Sequence, residues 1–214
     1  NSFLLRKAGI TADTRAPSGG TIVRDPRTGE PTGILKEAAQ GLLDLDAYDP
    51  SDAEQRELDE RGLEEALAEA RRTGVTSIQH LNGDYELFER FRNEGRLTLR
   101  VTFNMELPSD GKRLVELDKL RRRYPPEGNW IRFGYLKGFI DGTLGSATAL
   151  MFEPFADNSD TSGLPQMAYD ELERRVLAAD REGFQTGVHA IGTKGNHWVL
   201  NAYEKARQVN GRRD

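Results

Sequence analysis

Phe184-Gln185-Thr186-Gly187-Val188-His189-Ala190 is the stretch on which the fold turns. Read as a strand, it puts Phe184, Thr186, Val188 and Ala190 on one face and Gln185, Gly187 and His189 on the other. The first face suits packing against helices. The second becomes polar toward its C-terminal end. Three earlier stretches have the same character: Val75–His80, Leu97–Met105 and Trp130–Ile140. In the second of these, Leu99, Val101, Phe103 and Met105 share one face, and Thr102 and Asn104 the other.

Helical segments separate the strands. Ser51 or Asp52 can cap a helix to about Arg72, with Leu58, Leu63, Ala66 and Leu67 on its apolar stripe and Gly74 as its stop. Others are expected near Tyr85–Asn93, closed by Gly95, and from Ser109 or Asp110 to Arg123, halted by Pro125-Pro126. Two more cover about Tyr169–Glu182 and Gly195–Val209. Between Asp141 and Gln166 lies a long connection without a clear element. Alternation of strand and helix implies parallel strands joined by crossover helices. An open doubly wound sheet and an arc of a closed barrel both satisfy that order. Polar residues gathering at the C-terminal strand ends favour the barrel, whose chemistry sits at that mouth.

The fold expected is therefore α/β: a partial (β/α)8 TIM-type barrel of about four βα units over residues 51–214. Residues 1–50 read as an irregular N-terminal segment. Turn sequences at Pro17-Ser18-Gly19-Gly20 and Pro26-Arg27-Thr28-Gly29 set off two β-like runs, Thr21–Arg24 and Thr32–Leu35. These form a hairpin, followed by a short helix from about Lys36 to Leu43.

Composition narrows the function. The chain has 214 residues, a net charge of −5 and a pI near 5.4. That balance argues against nucleic acid, which needs a basic face to neutralise phosphate. The basic residues Lys112-Arg113 and Arg121-Arg122-Arg123 fall on one predicted helix and read as a solvated face. No apolar run approaches the roughly eighteen residues of a membrane span, and no signal peptide is visible, so a cytoplasmic location is expected. The first residue is Asn1 rather than Met, and the natural N-terminus is expected to lie further upstream. With no cysteine, thiolate zinc sites, disulfides and a Cys nucleophile are excluded together.

Polar residues close three of the strands: His80, Lys137 and His189. Asp141 lies just past the third strand, on the same alternating face as Lys137. Such positions converge on one mouth in a parallel barrel and become candidate ligands, bases or nucleophiles. Lys137 stands between Tyr135 and Phe139 on its own face. A lysine there must be paired, neutralised or modified, because burying a free ammonium ion is costly. One reading is a strand-end lysine that snorkels to solvent. The others are a Schiff-base nucleophile and a carbamylated lysine bridging two metals. His189 has room beside it, from Gly187 and Gly192, and imidazole is the commonest metal ligand; a hydrogen-bonded interior histidine is the alternative. His80 can simply begin a loop, and His197 falls inside the last helix, structural or exposed. Asp141-Gly142-Thr143-Leu144-Gly145-Ser146 lacks the Gly-Lys-Ser/Thr ending of a phosphate loop and reads better as a mobile active-site loop. No Gly-x-Ser-x-Gly elbow is present.

Several segments together carry a likeness to a known family. They are Asn1-Ser2 with Ala8-Gly9-Ile10-Thr11, Gly19-Gly20-Thr21-Ile22-Val23-Arg24-Asp25, and Thr28-Gly29-Glu30-Pro31-Thr32-Gly33-Ile34-Leu35-Lys36-Glu37. Lys137-Gly138-Phe139-Ile140-Asp141-Gly142-Thr143-Leu144-Gly145-Ser146, His189-Ala190-Ile191-Gly192 and Asn210-Gly211-Arg212-Arg213-Asp214 complete them. In these the chain resembles the YtcJ-like branch of the amidohydrolase superfamily, which includes N-substituted formamide deformylases. The resemblance implies a distorted barrel beside a small β-sandwich. It also implies one or two divalent metals, usually zinc, and a metal-bound hydroxide that attacks an amide-type carbonyl. Lys137 would be the carboxylated, metal-bridging lysine, and His189 a metal ligand of the fifth strand. Lys137 and Asp141 are the expected catalytic residues, Lys137 and His189 the expected metal ligands.

The departures are equally specific. The family's His-x-His pair is absent, and Thr193 stands where the family has an aspartate. A further histidine, in an Arg-His-Arg-Ile-Glu-His segment, and the catalytic aspartate would both follow Asp214. The expectation is a fragment of a metal-dependent hydrolase of C–N bonds, binding zinc incompletely and hydrolysing no amide in isolation. A Schiff-base lyase or aldolase using Lys137, or an inactive truncated barrel module, are the rivals. Partners are expected to be a small amide-type substrate and, because a partial barrel has open edges, a second copy in a homo-oligomer.

Overall fold

The computed structural model describes residues 2–43, 50–81 and 85–212. Asn1 and Arg213-Asp214, quoted above, lie outside the described residues, as does the end of the N-terminal segment at 44–49. The elements run α1 (Ser2–Lys7), β1 (Gly20–Arg24), β2 (Pro31–Glu37), a 3₁₀ turn (Ala38–Leu42), α2 (Asp52–Thr73), β3 (Ser77–His80), α3 (Tyr85–Asn93) and β4 (Arg100–Glu106). They continue as α4 (Gly111–Arg123), β5 (Ile131–Phe139), α5 (Tyr169–Arg181), β6 (Thr186–His189) and α6 (Thr193–Asn210). Four of the strands form one sheet in the order β3-β4-β5-β6, with β3-β4 and β4-β5 pairing parallel. Helices alternate with these strands along the chain. The fold is that of a partial TIM-type barrel, as the strand patterning predicts.

The chain forms two compact units interleaved along the sequence. The first gathers Asn1–Asp49, Phe139–Glu173 and Val188–Glu204. Its hairpin is antiparallel, with Ile22 opposite Leu35. Ile22 is buried with Leu5, Ile10 and Ala39, and Leu35 and Leu42 pack against that cluster. The expected short helix is the 3₁₀ turn, shorter than the sequence suggested. The Arg24 guanidinium donates to the carbonyls of Thr11, Thr14 and Gly29, satisfying loop groups that have no ladder partner.

The second unit gathers Pro50–Gly138, Arg174–Gly187 and Lys205–Asp214. Helix α2 begins in a capping box: Ser51 accepts from the Glu54 amide while the Glu54 carboxylate reaches back to Ser51. It ends at Gly74, whose φ of +76° is the left-handed cap that glycine adopts without strain. Its buried residues are Leu67 and Ala70, whereas Leu58 is 43% exposed and Ala66 is exposed. The apolar stripe read from the sequence is thus corrected. A helix with few apolar residues buries only its C-terminal half, so the period-matching Leu58 lies beyond that contact.

Aromatic rings fill the core beside β4 and β5. Phe103 meets Tyr85, Tyr124 and Phe133 at centroid separations of 5.1, 5.3 and 5.5 Å, and Phe133 meets Phe184 at 5.9 Å. A polar side chain is built into this unit. Asn104 is fully buried; its amide donates to the His80 carbonyl and its oxygen accepts from the Tyr135 amide. It thereby pins β4 to both neighbours at the register shift between Phe103 and Met105. Gly134 is required beside it, since a Cβ there would collide with the Asn104 side chain.

Candidate functional site

Lys137 belongs to the second unit, near the end of β5. It aligns with Glu106 of β4, and its carbonyl accepts from the Leu107 amide. The Leu136 amide donates to Gln185 on the other side, so the lysine backbone is held from both flanks. The side chain is half-buried, and its Nζ donates to the Gly138 carbonyl at 2.8 Å. Burial pushes its amine below the ordinary lysine range, because desolvation disfavours the ammonium form. A half-buried, depressed amine of this kind is the species needed to react with a carbonyl compound or with CO2. His80, at the end of β3, is engaged differently: its ring sits edge-on to Phe88 with centroids 5.1 Å apart.

His189, Asp141 and the loop after β5 belong to the first unit. His189 Nε2 lies 2.9 Å from the Gly142 carbonyl oxygen. A carbonyl can only accept, so Nε2 carries a proton, and in the neutral ring Nδ1 keeps its lone pair. Metal-binding histidines are characteristically oriented this way, with the nitrogen away from the metal donating to a carbonyl or carboxylate. The Phe139 ring lies against the imidazole, with centroids 5.5 Å apart.

Asp141 is 2% exposed and accepts three backbone amides. Oδ2 takes Leu150 and Gly192, both at 2.8 Å, and Oδ1 takes Ile191 at 3.0 Å. Its Oδ1 is 3.8 Å from His189 Nε2. The Leu150 carbonyl in turn accepts the amides of Lys194 and Gly195, two of the donors a helix start leaves without partners. Asp141 therefore joins three chain segments: the end of β5, the loop at Leu150 and the entry to α6. Gly192 and Gly195 have no room for a Cβ, the first against the Leu150 backbone and the second against the Asp141 carboxylate. Thr193, in place of the family aspartate, is exposed, and its hydroxyl accepts from Phe152 at 3.4 Å.

A second carboxylate, which the sequence reading passed over, holds the same loop. Glu37 Oε1 accepts the Thr148 hydroxyl at 2.7 Å across 111 residues of sequence. The Thr148 hydroxyl has one proton and gives it to Glu37, so it must accept from the Thr143 amide at 3.0 Å and from Ser146 Oγ. Lys36 Nζ donates to the Ser146 carbonyl. Glu37 has φ +51° and ψ −129°, a backbone state that costs a non-glycine residue on the order of 1–3 kcal/mol. Only the Gly-Ile-Leu-Lys-Glu run hinted at it, by placing a carboxylate next to a lysine. The loop expected to be mobile is thus tied at Asp141, Thr143 and Thr148. His197 is exposed and bonded to Asn201, consistent with its placement in a helix.

Among the described residues no three His, Cys, Asp or Glu side chains are grouped as a metal ion would require. His189 suits a metal by its available Nδ1, and Lys137 would supply oxygen only after carboxylation. Two such groups are fewer than the three protein ligands of a catalytic zinc. No described helix is long and apolar enough to cross a membrane.

Known proteins resemble this chain along its whole length. Residues 1–214 match the model of the amidohydrolase family. Protein LONG AFTER FAR-RED 3 of Arabidopsis thaliana is 33% identical over all of this chain and 38% of its own length. The putative amidohydrolase YtcJ of Bacillus subtilis is 34% identical over all of this chain and 40% of its own. An uncharacterized metal-dependent hydrolase from Pyrococcus furiosus superposes with a TM-score of 0.63 at 25% identity, covering 97% of this chain and 41% of that one. The chain thus spans about two fifths of the curated relatives it matches. With a family match over every residue and these relatives beside it, this chain belongs to the amidohydrolase family.

Proposed function

We propose that the protein carrying this segment is a metal-dependent hydrolase of C–N bonds in amides or similar small molecules. The observation that carries the proposal is the orientation of His189. Its Nε2 is committed to the Gly142 carbonyl, which leaves Nδ1 available for a cation at the C-terminal end of β6. Family membership and the metal-dependent hydrolases among the structural neighbours support the same reading.

Zinc or a similar divalent ion, when bound, would supply a nucleophilic hydroxide at neutral pH and polarise the carbonyl. His189 would hold that ion through Nδ1. Lys137, once its depressed amine has taken up CO2, would present a carboxylate to it. Asp141 keeps the loop and the α6 entry in register around His189. A catalytic zinc would need at least one further protein ligand beside these two.

The test is metal analysis and amide hydrolysis on the protein at the length of its curated relatives. Bound divalent metal, chelator-sensitive turnover and loss of both in Lys137→Ala are expected. Full metal content and near-normal turnover in Lys137→Ala would remove the lysine from the site. A second reading is favoured by one observation, the amine of Lys137 lowered by burial. That property also suits a Schiff-base lyase or aldolase. Borohydride trapping of Lys137 with a carbonyl substrate, and activity indifferent to chelators, would select it.

A further inference from the structure

We propose that Glu37 is a positioning residue for His189, acting through Thr148 and the Gly142–Thr143 backbone. The proposal rests on the reading of His189 as a metal ligand, but its geometry is independent of that reading. The route is continuous within one unit. Glu37 accepts the Thr148 hydroxyl; Thr148 accepts the Thr143 amide; the Gly142 amide donates to the Thr148 carbonyl at 3.2 Å; and the Gly142 carbonyl meets His189 Nε2.

Three features argue that this is a built arrangement. Thr148 is 2% exposed, so its hydroxyl has no solvent to fall back on. The carboxylate fixes the direction of the hydroxyl proton, and with it the acceptor side that holds Thr143. Thr143 Oγ1 lies 2.9 Å from Ser146 Oγ, which extends the chain of hydroxyls behind that acceptor. Gly142 has no room for a Cβ, which would collide with both the Thr148 hydroxyl and the Glu37 carboxylate. The peptide that meets His189 is therefore pressed directly against the pair proposed to hold it. Finally, Glu37 occupies a left-handed φ that glycine would take freely. Its side chain, through Thr148, is what holds a glutamate there.

The experiment reads the His189 ring proton by ¹H–¹⁵N NMR in the metal-free chain, as the exchange rate of Nε2–H with solvent. The Gly192 amide, bonded to Asp141 and outside the route, is the internal reference. In the native chain a protected Nε2–H signal is expected. Glu37→Gly, which relieves the backbone strain, should speed its exchange about tenfold or more, the factor by which losing one hydrogen bond to a charged group favours local opening. Glu37→Gln keeps an acceptor oxygen and should stay near native. Thr148→Val should reproduce Glu37→Gly, Thr148→Ser should not, and the double variant should be no worse than either single one, since both cut one route. Several results overturn the proposal. They are no protected ring proton in the native chain, a His189 rate within about twofold of native in Glu37→Gly, equal acceleration at Gly192, or additive effects in the double variant. Because the readout needs neither metal nor substrate, it stands or falls apart from the hydrolase reading, which chelation and amide turnover decide.

Discussion

Replacing Asp141 by Asn is nearly isosteric, yet the structure makes it a severe change. Both carboxylate oxygens act only as acceptors: Oδ2 toward Leu150 and Gly192, Oδ1 toward Ile191. An amide has a single oxygen. Its best orientation keeps that oxygen in the Oδ2 position, where two donors converge, and turns its NH2 toward the Ile191 amide. The Ile191 bond is then lost outright, at about 1.5–3 kcal/mol for a hydrogen bond to a charged group. The two retained bonds fall from charge-assisted to neutral, roughly halving their strength, for about 1–3 kcal/mol more. A loss of about 2.5–6 kcal/mol results, against a total of about 5–15 kcal/mol for a typical domain.

Urea unfolding followed by circular dichroism measures this directly. With an m-value of about 2 kcal/mol/M for a chain of this size, the midpoint should fall by roughly 1–3 M. Asp141→Ala should fall at least as far, because it leaves three buried amides without partners. A midpoint shift below about 0.5 M at unchanged m would mean that the three bonds contribute little. In that case Asp141 would be held for chemistry rather than for architecture.

Other changes test other parts of the structure. Gly195→Ala should destabilise the chain, although alanine is the better helix former by about 1 kcal/mol, because its Cβ would meet the fixed Asp141 carboxylate; thermal unfolding gives the sign. Ser51→Ala should remove the capping box of α2 and cost about 1 kcal/mol in urea unfolding. Lys137 has its amine lowered by burial, so the folded chain gives up that proton at a lower pH than the unfolded chain does. Stability should therefore climb as pH rises through the window between the two values, with the full penalty present below the folded one. Lys137→Met should flatten that climb in urea midpoints taken between about pH 7 and pH 10.5.

How much of this was legible in advance depends on the range of the interactions. Strand and helix positions follow from local pattern, and Ser51, Gly74, Gly95 and Asp110 act as caps and stops where the sequence places them. Lys137 and His189 could be singled out because polar residues at the ends of apolar strands violate their local pattern. Leu58 shows the limit of periodicity, which assigns a face but not how far the contact extends along it. Asn104 was visible only as a polar residue on one face; its clasp between two strands depends on a register shift no pattern encodes. Glu37 and Thr148 lie 111 residues apart, and neither breaks a local rule, so their pairing belongs wholly to the tertiary fold.

The surroundings of His189 explain why glycine recurs in this part of the chain. Its Nε2 donates to a backbone carbonyl, not to a side chain, and that carbonyl must be located without any side chain of its own. Two carboxylates do the locating. Asp141 draws in the amides of Leu150, Ile191 and Gly192, and Glu37 fixes the Thr148 hydroxyl that holds Thr143. Each carboxylate brings backbone so close that a Cβ cannot be fitted: at Gly142 beside Glu37 and Thr148, at Gly195 beside Asp141, and at Gly192 against Leu150. A peptide held at such short range has little freedom to turn, and the imidazole it meets inherits that restriction. Substitutions at Gly142 should therefore disturb His189 more than substitutions at exposed Thr143, although Thr143 is the residue whose side chain faces solvent and could seem the more available to a ligand. Comparing Gly142→Ala with Thr143→Ala by the exchange of the His189 ring proton separates the two. Equal effects would mean that the ring is oriented by something other than the Gly142 peptide.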